Sequence, residues 1–393
     1  MTGTTSIIQR KNIAIVGRTN AGKSTLFNAL TEQSNAIVSP IAGTTTDPVA
    51  KAAELLPFGP VVLIDTAGFG DESELGSLRA KKTLAAMRRA DMTLYVANSD
   101  YFDKEAYVKF VAKGTPHILV FNQVGQEQLA SLKEQYPKAI LLTDMNEGEL
   151  DVLREKITIL LTSLEEKEIP IIEKLLLPGD TVVMVIPLDS EAPKGRLILP
   201  QVQMIRQCLD CQVKSIVVRP SELGEVIANQ QIDLVITDSQ AFGEVAAIVP
   251  EDIALTSFSM LLAYEKSDFR QLLEGSEVIG NLADGAKILM LEGCTHNKSH
   301  EDIGRFKIPK LFKKKTDKDF HFTFYSGYDF PEDLTVFDMA IQCGSCMLNS
   351  REVESRLAIL EQNSIPVTNY GIILAYLNGI LSRASRIFER IEL

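Results

Sequence analysis

Cysteine is scarce and odd in number, five in 393 residues. That excludes a secreted disulfide framework and leaves thiols free to serve as metal ligands in a reducing compartment. No stretch reaches the roughly 18 uninterrupted apolar residues of a membrane-spanning helix. Met1–Gln9 is short and polar, without the apolar core of a signal peptide. A cytoplasmic protein with no membrane partner is the expectation. Positive charge is also short: 40 Lys and Arg stand against 52 Asp and Glu, a net charge of −12. Nonspecific nucleic-acid binders are usually basic. Here the one compact basic run is Lys313–Lys315, with no aromatic–basic surface run beside it, so no nucleic-acid partner is expected. No repeat of fixed period is present either.

The remainder is ordinary for a soluble globular chain, with 45% hydrophobic and 23% charged residues. Its length suggests roughly two to three domains. Asn12–Val16, Val61–Asp65, Met92–Ala97, His117–Asn122 and Ala139–Thr143 are short apolar runs without alternation, as in strands covered on both faces. Helical patterns lie between them at Lys23–Thr31, Leu75–Arg89, Glu105–Lys113, Gln126–Gln135 and Glu149–Glu165. The alternation predicts a doubly wound α/β domain over 1–168. Two prolines around Ile171–Leu177 mark a boundary, and a softer one falls near Lys266–Asp268. Two smaller α/β domains are expected, over 169–267 and 268–393. In the first, Thr181–Ile186, Ser215–Arg219 and Leu234–Thr237 read as strands, and Ser221 as the N-cap of a helix to Asn229. In the second, Lys287–Leu291, Phe320–Tyr325, Leu334–Ile341 and Ile365–Thr368 read as strands. Ser350–Gln362, capped by Ser350, and Gly371–Arg386 read as helices, and Lys310–Lys315 as a solvated loop.

Gly17-Arg-Thr-Asn-Ala-Gly22-Lys23-Ser24 follows the first strand and opens the first helix, the context a phosphate-binding loop requires. Gly17 and Gly22 let the backbone wrap phosphates, and the N–H groups of the turn and helix N-terminus face the anion. The nucleotide contacts are assigned to Gly17, Asn20, Ala21, Gly22, Lys23, Ser24 and Thr25. Lys23 reaches the β- and γ-phosphates, and the Ser24 hydroxyl ligates Mg²⁺. Asp65-Thr-Ala-Gly68 ends the next apolar strand; Asp65 is placed to hold Mg²⁺ and the Gly68 N–H to sense the γ-phosphate. Gly43-Thr-Thr-Thr-Asp47 lies between them as the loop that supplies a second Mg²⁺ hydroxyl. Phe69–Leu78 contains no glutamine to orient water, and Glu72 and Glu74 are the acidic residues there, so hydrolysis is expected to be slow.

These motifs, in order and spacing, resemble the TrmE/Era-like GTPases. The resemblance implies that Thr45 is the switch threonine and that Asn20 helps bind an activating K⁺. One part departs from it. The family reads guanine with Asn-Lys-x-Asp, whereas this chain has Asn122-Gln123-Val124-Gly125. Asn122 can still tie this loop to the phosphate loop. Without the carboxylate, guanine donors lose their acceptor, so guanine preference is expected to weaken. Thr143-Asp144 takes the place of the last base-contacting loop by position.

Cys294-Thr-His296 and Cys343-Gly-Ser-Cys346 each follow a predicted strand, at the carboxyl ends where open α/β sheets place ligands. Three thiolates and an imidazole can close a zinc site, and the same thiolates can hold three irons of a 4Fe-4S cluster. Reduced thiols are the third alternative. Cys208-Leu-Asp-Cys211 lies on a helix pattern with no further ligand nearby and reads as buried packing. His117 and His321 read as structural, and His300 is a weak ligand candidate.

Here the chain resembles the FeFe-hydrogenase maturation GTPases, the HydF family, over essentially its whole length. The residues that carry this are the C-x-H and C-x-x-C pairs behind a GTPase domain, and the loop Pro187–Pro200. The resemblance implies a GTPase domain, a middle domain that forms a homodimer, and a C-terminal domain holding a 4Fe-4S cluster on Cys294, Cys343 and Cys346. It implies a scaffold that receives a di-iron precursor, with radical-enzyme maturases and apo-FeFe-hydrogenase as partners. The family often has His before the first Cys of C-x-x-C; here Gln342 stands there. The fourth iron would then be held by His296, by another non-cysteinyl group, or by an exchangeable small ligand. The competing expectation is an RNA- or ribosome-associated GTPase with a structural zinc domain.

Overall fold

The computed structural model describes residues 10–32, 49–68, 83–112, 114–164, 169–188, 197–293 and 303–391. The chain forms two compact units, Met1–Glu168 and Ile169–Leu393. The expectations for Gly43–Asp47 with Thr45, for Glu72 and Glu74, and for Cys294, His296 and His300 lie outside the described residues.

The first unit is built on a six-stranded sheet. In chain order its strands are β1 (Lys11–Val16), β2 (Val49–Leu55), β3 (Gly59–Asp65), β4 (Met92–Asn98), β5 (His117–Asn122) and β6 (Ile140–Leu141). Their spatial order is β2-β3-β1-β4-β5-β6. All neighbours run parallel except β2, which pairs antiparallel with β3 in the register Val49↔Asp65. The apolar runs are continuous because successive side chains serve opposite faces. Ile13 and Ile15 of β1 join one core cluster, while Ala14 and Val16 join the cluster on the other face. The first cluster is covered by the helix Glu147–Leu164, which buries Leu150, Leu153, Ile157 and Leu161 along one stripe. Strand β2 was not legible in the sequence. It is an edge strand whose exposed Glu54 and half-buried Lys51 interrupt the apolar signal.

The second unit holds two four-stranded parallel sheets. The first is β10-β9-β7-β8, from β7 (Thr181–Val185), β8 (Lys214–Val218), β9 (Leu234–Thr237) and β10 (Ala254–Ser257). The second is β12-β11-β13-β14, from β11 (Lys287–Glu292), β12 (His321–Ser326), β13 (Met339–Gln342) and β14 (Val367–Asn369). One hydrophobic cluster runs from Ile171 to Phe388 and takes residues from both sheets and the helices between them. The approach is close: a Cβ at Gly371 would lie 2.8 Å from Ser259 Cβ, and within the C-terminal segment one at Gly275 would lie 1.9 Å from the Val367 carbonyl oxygen. Asn369 Nδ2 donates to the Ser259 carbonyl (3.2 Å), and Lys266 Nζ to those of Ser345 and Leu348 (3.0 Å each).

Several local expectations are revised. Lys310–Lys315 lies within a helix, Ile308–Thr316, because Ile308 and Phe312 recur at i, i+4 on a buried stripe. The expected helix Gly371–Arg386 is divided into Tyr370–Leu377 and Leu381–Ser385 by Gly379, whose φ of 75° no helix accommodates. Asn349, not Ser350, caps Ser350–Gln362, by accepting from Glu352 N. Pro220–Glu222 forms a 3-10 turn before Leu223–Asn229, without a Ser221 cap. Residues 334–338 are not strand; β13 begins at Met339. His117 is fixed by Tyr107 Oη at Nε2 and the Thr115 carbonyl at Nδ1, both at 3.0 Å.

Candidate functional site

Strand β1 delivers the chain into Gly17, and the helix Lys23–Glu32 receives it at Lys23. The turn between them demands its glycines. Gly17 has φ 151°, and a Cβ there would meet the Val96 carbonyl oxygen at 2.0 Å. Gly22 has φ 85°, and its Cβ would meet Asn122 Nδ2 at 2.0 Å. Asn20 takes the left-handed conformation, φ 64°, at the exposed tip, a region Asn tolerates better than most residues. Asn122, at the end of β5, is buried and donates from Nδ2 to the Ala21 carbonyl at 3.3 Å. Loop and strand are thereby joined across the sheet.

Lys23 is buried, and its Nζ donates to the Arg18 carbonyl at 2.8 Å. Burial lowers its pKa, and Asp65 opposes that. Ser24 Oγ donates to Asp65 Oδ2 at 2.8 Å. Burial pushes the Asp65 carboxyl up, while the Ser24 hydroxyl, the Lys23 charge and the Thr66 N–H hold it down. Asp65 Oδ1 is buried without a hydrogen-bond partner among the described residues. A hydroxyl beside a carboxylate with one unused oxygen is a donor set suited to a hard divalent cation. Thr66 fixes the end of β3 by donating from Oγ1 to the Ile15 carbonyl at 2.7 Å. Gly68 then passes so close to the phosphate loop that a Cβ would lie 2.5 Å from Thr19 N.

The base end contains two residues the sequence reading missed. Glu149 accepts from Thr143 N (3.0 Å), Thr143 Oγ1 (2.6 Å) and Asp144 N (3.3 Å), and these bonds lower its pKa against burial. Gln128 accepts from Gly125 N at 3.2 Å and donates to Asp100 Oδ1 at 2.8 Å. Both lie within six residues of the motif positions they bond, but a polar residue at that distance is not distinctive in sequence.

In the second unit, β11 and β13 are adjacent and parallel, so Gly293 and Cys343 emerge side by side. Cys343 Sγ accepts from Gly293 N at 2.9 Å and Ser345 N at 3.3 Å. Burial raises the thiol pKa, and the two N–H groups counter it. Two N–H groups aimed at one sulfur suit a thiolate that ligates a metal. Cys346 is half-buried. Gln342 is buried, with its amide donating to Ser345 Oγ at 2.8 Å, so it braces the C-x-x-C turn. Ser345 has φ 52°. Among the described residues no group of three or more His, Cys, Asp or Glu is gathered as for a metal. Cys208 is wholly buried in the helix Leu199–Asp210, which raises its thiol pKa to about 11; Cys211 caps that helix.

Known proteins separate along the same lines. Residues 12–123 match the model of the 50S ribosome-binding GTPase family, 171–267 the hydrogen maturase F dimerization domain, and 270–387 the hydrogen maturase F tetramerization domain. GTPase Der of Sulfurimonas denitrificans is 35% identical over 123 residues, 30% of this chain and 25% of that protein. The tRNA modification GTPase MnmE of Aquifex aeolicus is 34% identical over 149 residues, 37% of this chain and 33% of that protein. The chain thus spans about a quarter to a third of the length of the curated relatives it matches. Among solved structures, the G domain of the T. maritima FeoB iron transporter is 24% identical, covering 39% of this chain and 99% of that one, with a TM-score of 0.29. Aquifex aeolicus Era is 20% identical, covering 53% and 93%, with a TM-score of 0.31.

Phosphate loop and family match make the first unit a P-loop GTPase domain, followed by two smaller α/β segments. Both of those segments match hydrogen maturase F models, which together cover more than half of the residues. The chain belongs to the hydrogen maturase F family.

Proposed function

We propose that this protein hydrolyses GTP and serves as a scaffold in FeFe-hydrogenase active-site maturation, binding a 4Fe-4S cluster and delivering a di-iron precursor to the apo-enzyme. The observation that carries the reading is the joining of a GTPase domain to hydrogen maturase F domains in one chain, with Cys343 Sγ already facing two N–H donors.

In the GTPase domain the glycine turn and helix N-terminus bind the triphosphate. Lys23 places its charge at the β/γ junction, where negative charge grows as the bond to the leaving diphosphate breaks. Mg²⁺, held by Ser24, Asp65 and Thr45, supplies further charge neutralisation when bound. The Gly68 N–H reports the γ-phosphate to the segment that follows. Asn20 contributes to a K⁺ site that speeds turnover. GTP acts as a timing signal for cargo transfer.

In the second unit Cys294, Cys343 and Cys346 would hold the cluster, which when bound would supply the iron chemistry of cargo transfer. Gln342 fixes the turn that carries two of the thiolates. The unit also pairs with a second copy. Its strand β8 is a sheet edge with Val217 exposed, and Leu197, Val202 and Leu209 are exposed apolar residues of the same segment.

The test is anaerobic reconstitution with iron and sulfide, counting metal per chain and recording absorbance and EPR. About four irons per chain and a reduced-cluster signal are expected. Zinc without iron would replace this reading with an RNA- or ribosome-associated GTPase carrying a structural zinc domain, whose GTPase domain would look the same.

A further inference from the structure

The two ends of the nucleotide site differ in how their polar groups are used. At the phosphate end groups are left over for a ligand. Asp65 Oδ1 is buried and unpartnered among the described residues, and Lys23 Nζ is bonded to a neutral carbonyl. At the base end the corresponding groups are closed on one another. Gly125 stands where a guanine-reading carboxylate belongs. A Cβ there would sit 3.6 Å from Gln128 Oε1, an ordinary van der Waals contact, so the Gln128 amide neighbours position 125 without filling it. That amide already accepts from Gly125 N and donates to Asp100 Oδ1. Gln123 Oε1 accepts from Asn98 Nδ2 at 3.2 Å. In the facing loop, the N–H groups of Thr143 and Asp144, the donors available for a purine 6-oxygen, point to the Glu149 carboxylate instead.

Guanine presents two adjacent donors, at N1 and the 2-amino group, and an acceptor at O6. A site selects it strongly only by offering complementary groups that are left unpaired by other bases. Among the described residues, position 125 offers no carboxylate to the two donors, and the Thr143 and Asp144 N–H groups are engaged by Glu149. Xanthine, with a carbonyl at C2, and adenine, with an amino group at C6, leave nothing unsatisfied that guanine would satisfy.

We infer that the site is base-tolerant: the protein binds and hydrolyses purine nucleoside triphosphates, those of adenine and xanthine included, through the triphosphate alone, and Gln128 and Glu149 hold the base loops closed on themselves. This rests on the reading of the first unit as a GTP hydrolase and widens its substrate class. The reaction is common to all: a water oxygen bonds to the γ-phosphorus, the bond from that phosphorus to the bridging oxygen breaks, and nucleoside diphosphate, phosphate and a proton are released.

The test uses the full chain with Mg²⁺. Calorimetry gives Kd for GDP, XDP and ADP, and phosphate release gives kcat/KM for the three triphosphates. All three are expected within about tenfold of one another, against the 10⁴-fold or more of a site built to read the base. GDP bound about 100-fold more tightly than both others would overturn the inference and leave the GTP-hydrolase reading standing. Binding of none of the three would overturn both. Gly125→Asp is expected to raise the GDP-to-XDP affinity ratio at least tenfold, about 1.4 kcal/mol, since a carboxylate accepts from guanine and repels the xanthine 2-oxygen. Gly125 needs no left-handed φ, so the variant is expected to fold, with an unchanged circular-dichroism melt as the check. An unchanged ratio in a folded variant would remove residue 125 from the base edge. Should the variant not fold, the three-nucleotide comparison on the unaltered chain decides the matter.

Discussion

The Ser24 hydroxyl donates to Asp65 Oδ2 over 2.8 Å, between groups 41 residues apart in sequence. The bond joins the start of the first helix to the end of β3 and sets the spacing of the two groups that would share Mg²⁺. It leaves Asp65 Oδ1 without a hydrogen-bond partner among the described residues. Burial thus opposes both charges here, raising the Asp65 carboxyl and lowering the Lys23 ammonium, while each charge favours the other.

The Asp65 carboxyl is raised in the folded state. Its stabilising contribution is then full below the unfolded carboxylate pKa and is lost as pH rises through the raised folded value. Lys23 is lowered, so its contribution is present above the unfolded lysine pKa and is lost as pH falls through the folded one. At neutral pH both charges oppose folding of the free protein. Asp65→Asn is expected to flatten the loss of stability on going up from acid, without lowering the melting temperature at neutral pH. The same variant is expected to lose the stabilisation by Mg²⁺ and GDP, about 2.7 kcal/mol at a hundred times Kd. Melts of the two proteins from pH 4 to 8, with and without ligand, check both halves.

Gly22 and Asn122 are coupled by contact. A Cβ at 22 would lie 2.0 Å from Asn122 Nδ2. Gly22→Ala is expected to lower GDP affinity at least tenfold and to destabilise by roughly 1–3 kcal/mol, from the contact and the positive φ. Asn122→Ala removes the obstacle and the bond to Ala21. The double variant is expected to lose less than the sum of the two, by about 0.5 kcal/mol or more. Additive losses in denaturant titrations would show that the two sites do not touch.

Replacing Na⁺ by K⁺ is expected to speed GTP hydrolysis severalfold, and Asn20→Ala to abolish the difference between the two salts. Asn20 is exposed at the loop tip, so the variant leaves packing untouched. Equal rates in the two salts would remove K⁺ from the mechanism.

Cys294→Ala, Cys343→Ala and Cys346→Ala are each expected to lose most of the reconstituted iron, and Cys208→Ala and Cys211→Ala to keep it. Cys208 is sealed in a helix with its pKa raised to about 11, the reverse of a ligating thiolate. His296→Ala is expected to retain iron but to change the EPR signal of the reduced cluster. Full iron in Cys343→Ala would place the cluster elsewhere.

Sedimentation of the full chain at micromolar concentration is expected to give a dimer or higher assembly. Val217→Lys on the β8 edge is expected to shift it toward monomer without lowering the melting temperature by more than a few degrees, since Val217 is 46% exposed. A monomer in the unaltered chain would count against pairing through this segment.

Most of the central strands and the phosphate loop were legible in the sequence, because each is a local property. A strand buried on both faces is a short apolar run, and a phosphate loop needs glycines at fixed spacing from a lysine. Edge strand β2 and the capping of Ser350–Gln362 by Asn349 escaped, since half-exposed or adjacent polar residues carry no distinctive period. Only the tertiary structure decided three further things. It set the Ser24–Asp65 bond between the first helix and the end of β3. It closed Glu149 and Gln128 on the base loops, because hydrogen bonds between loops depend on where the sheet ends lie. It also merged the two sheets of residues 169–393 into one core. Gly371 lets its helix meet Ser259 and Met260 at distances a Cβ would forbid, and that closeness is a property of packing which no residue pattern within either segment expresses.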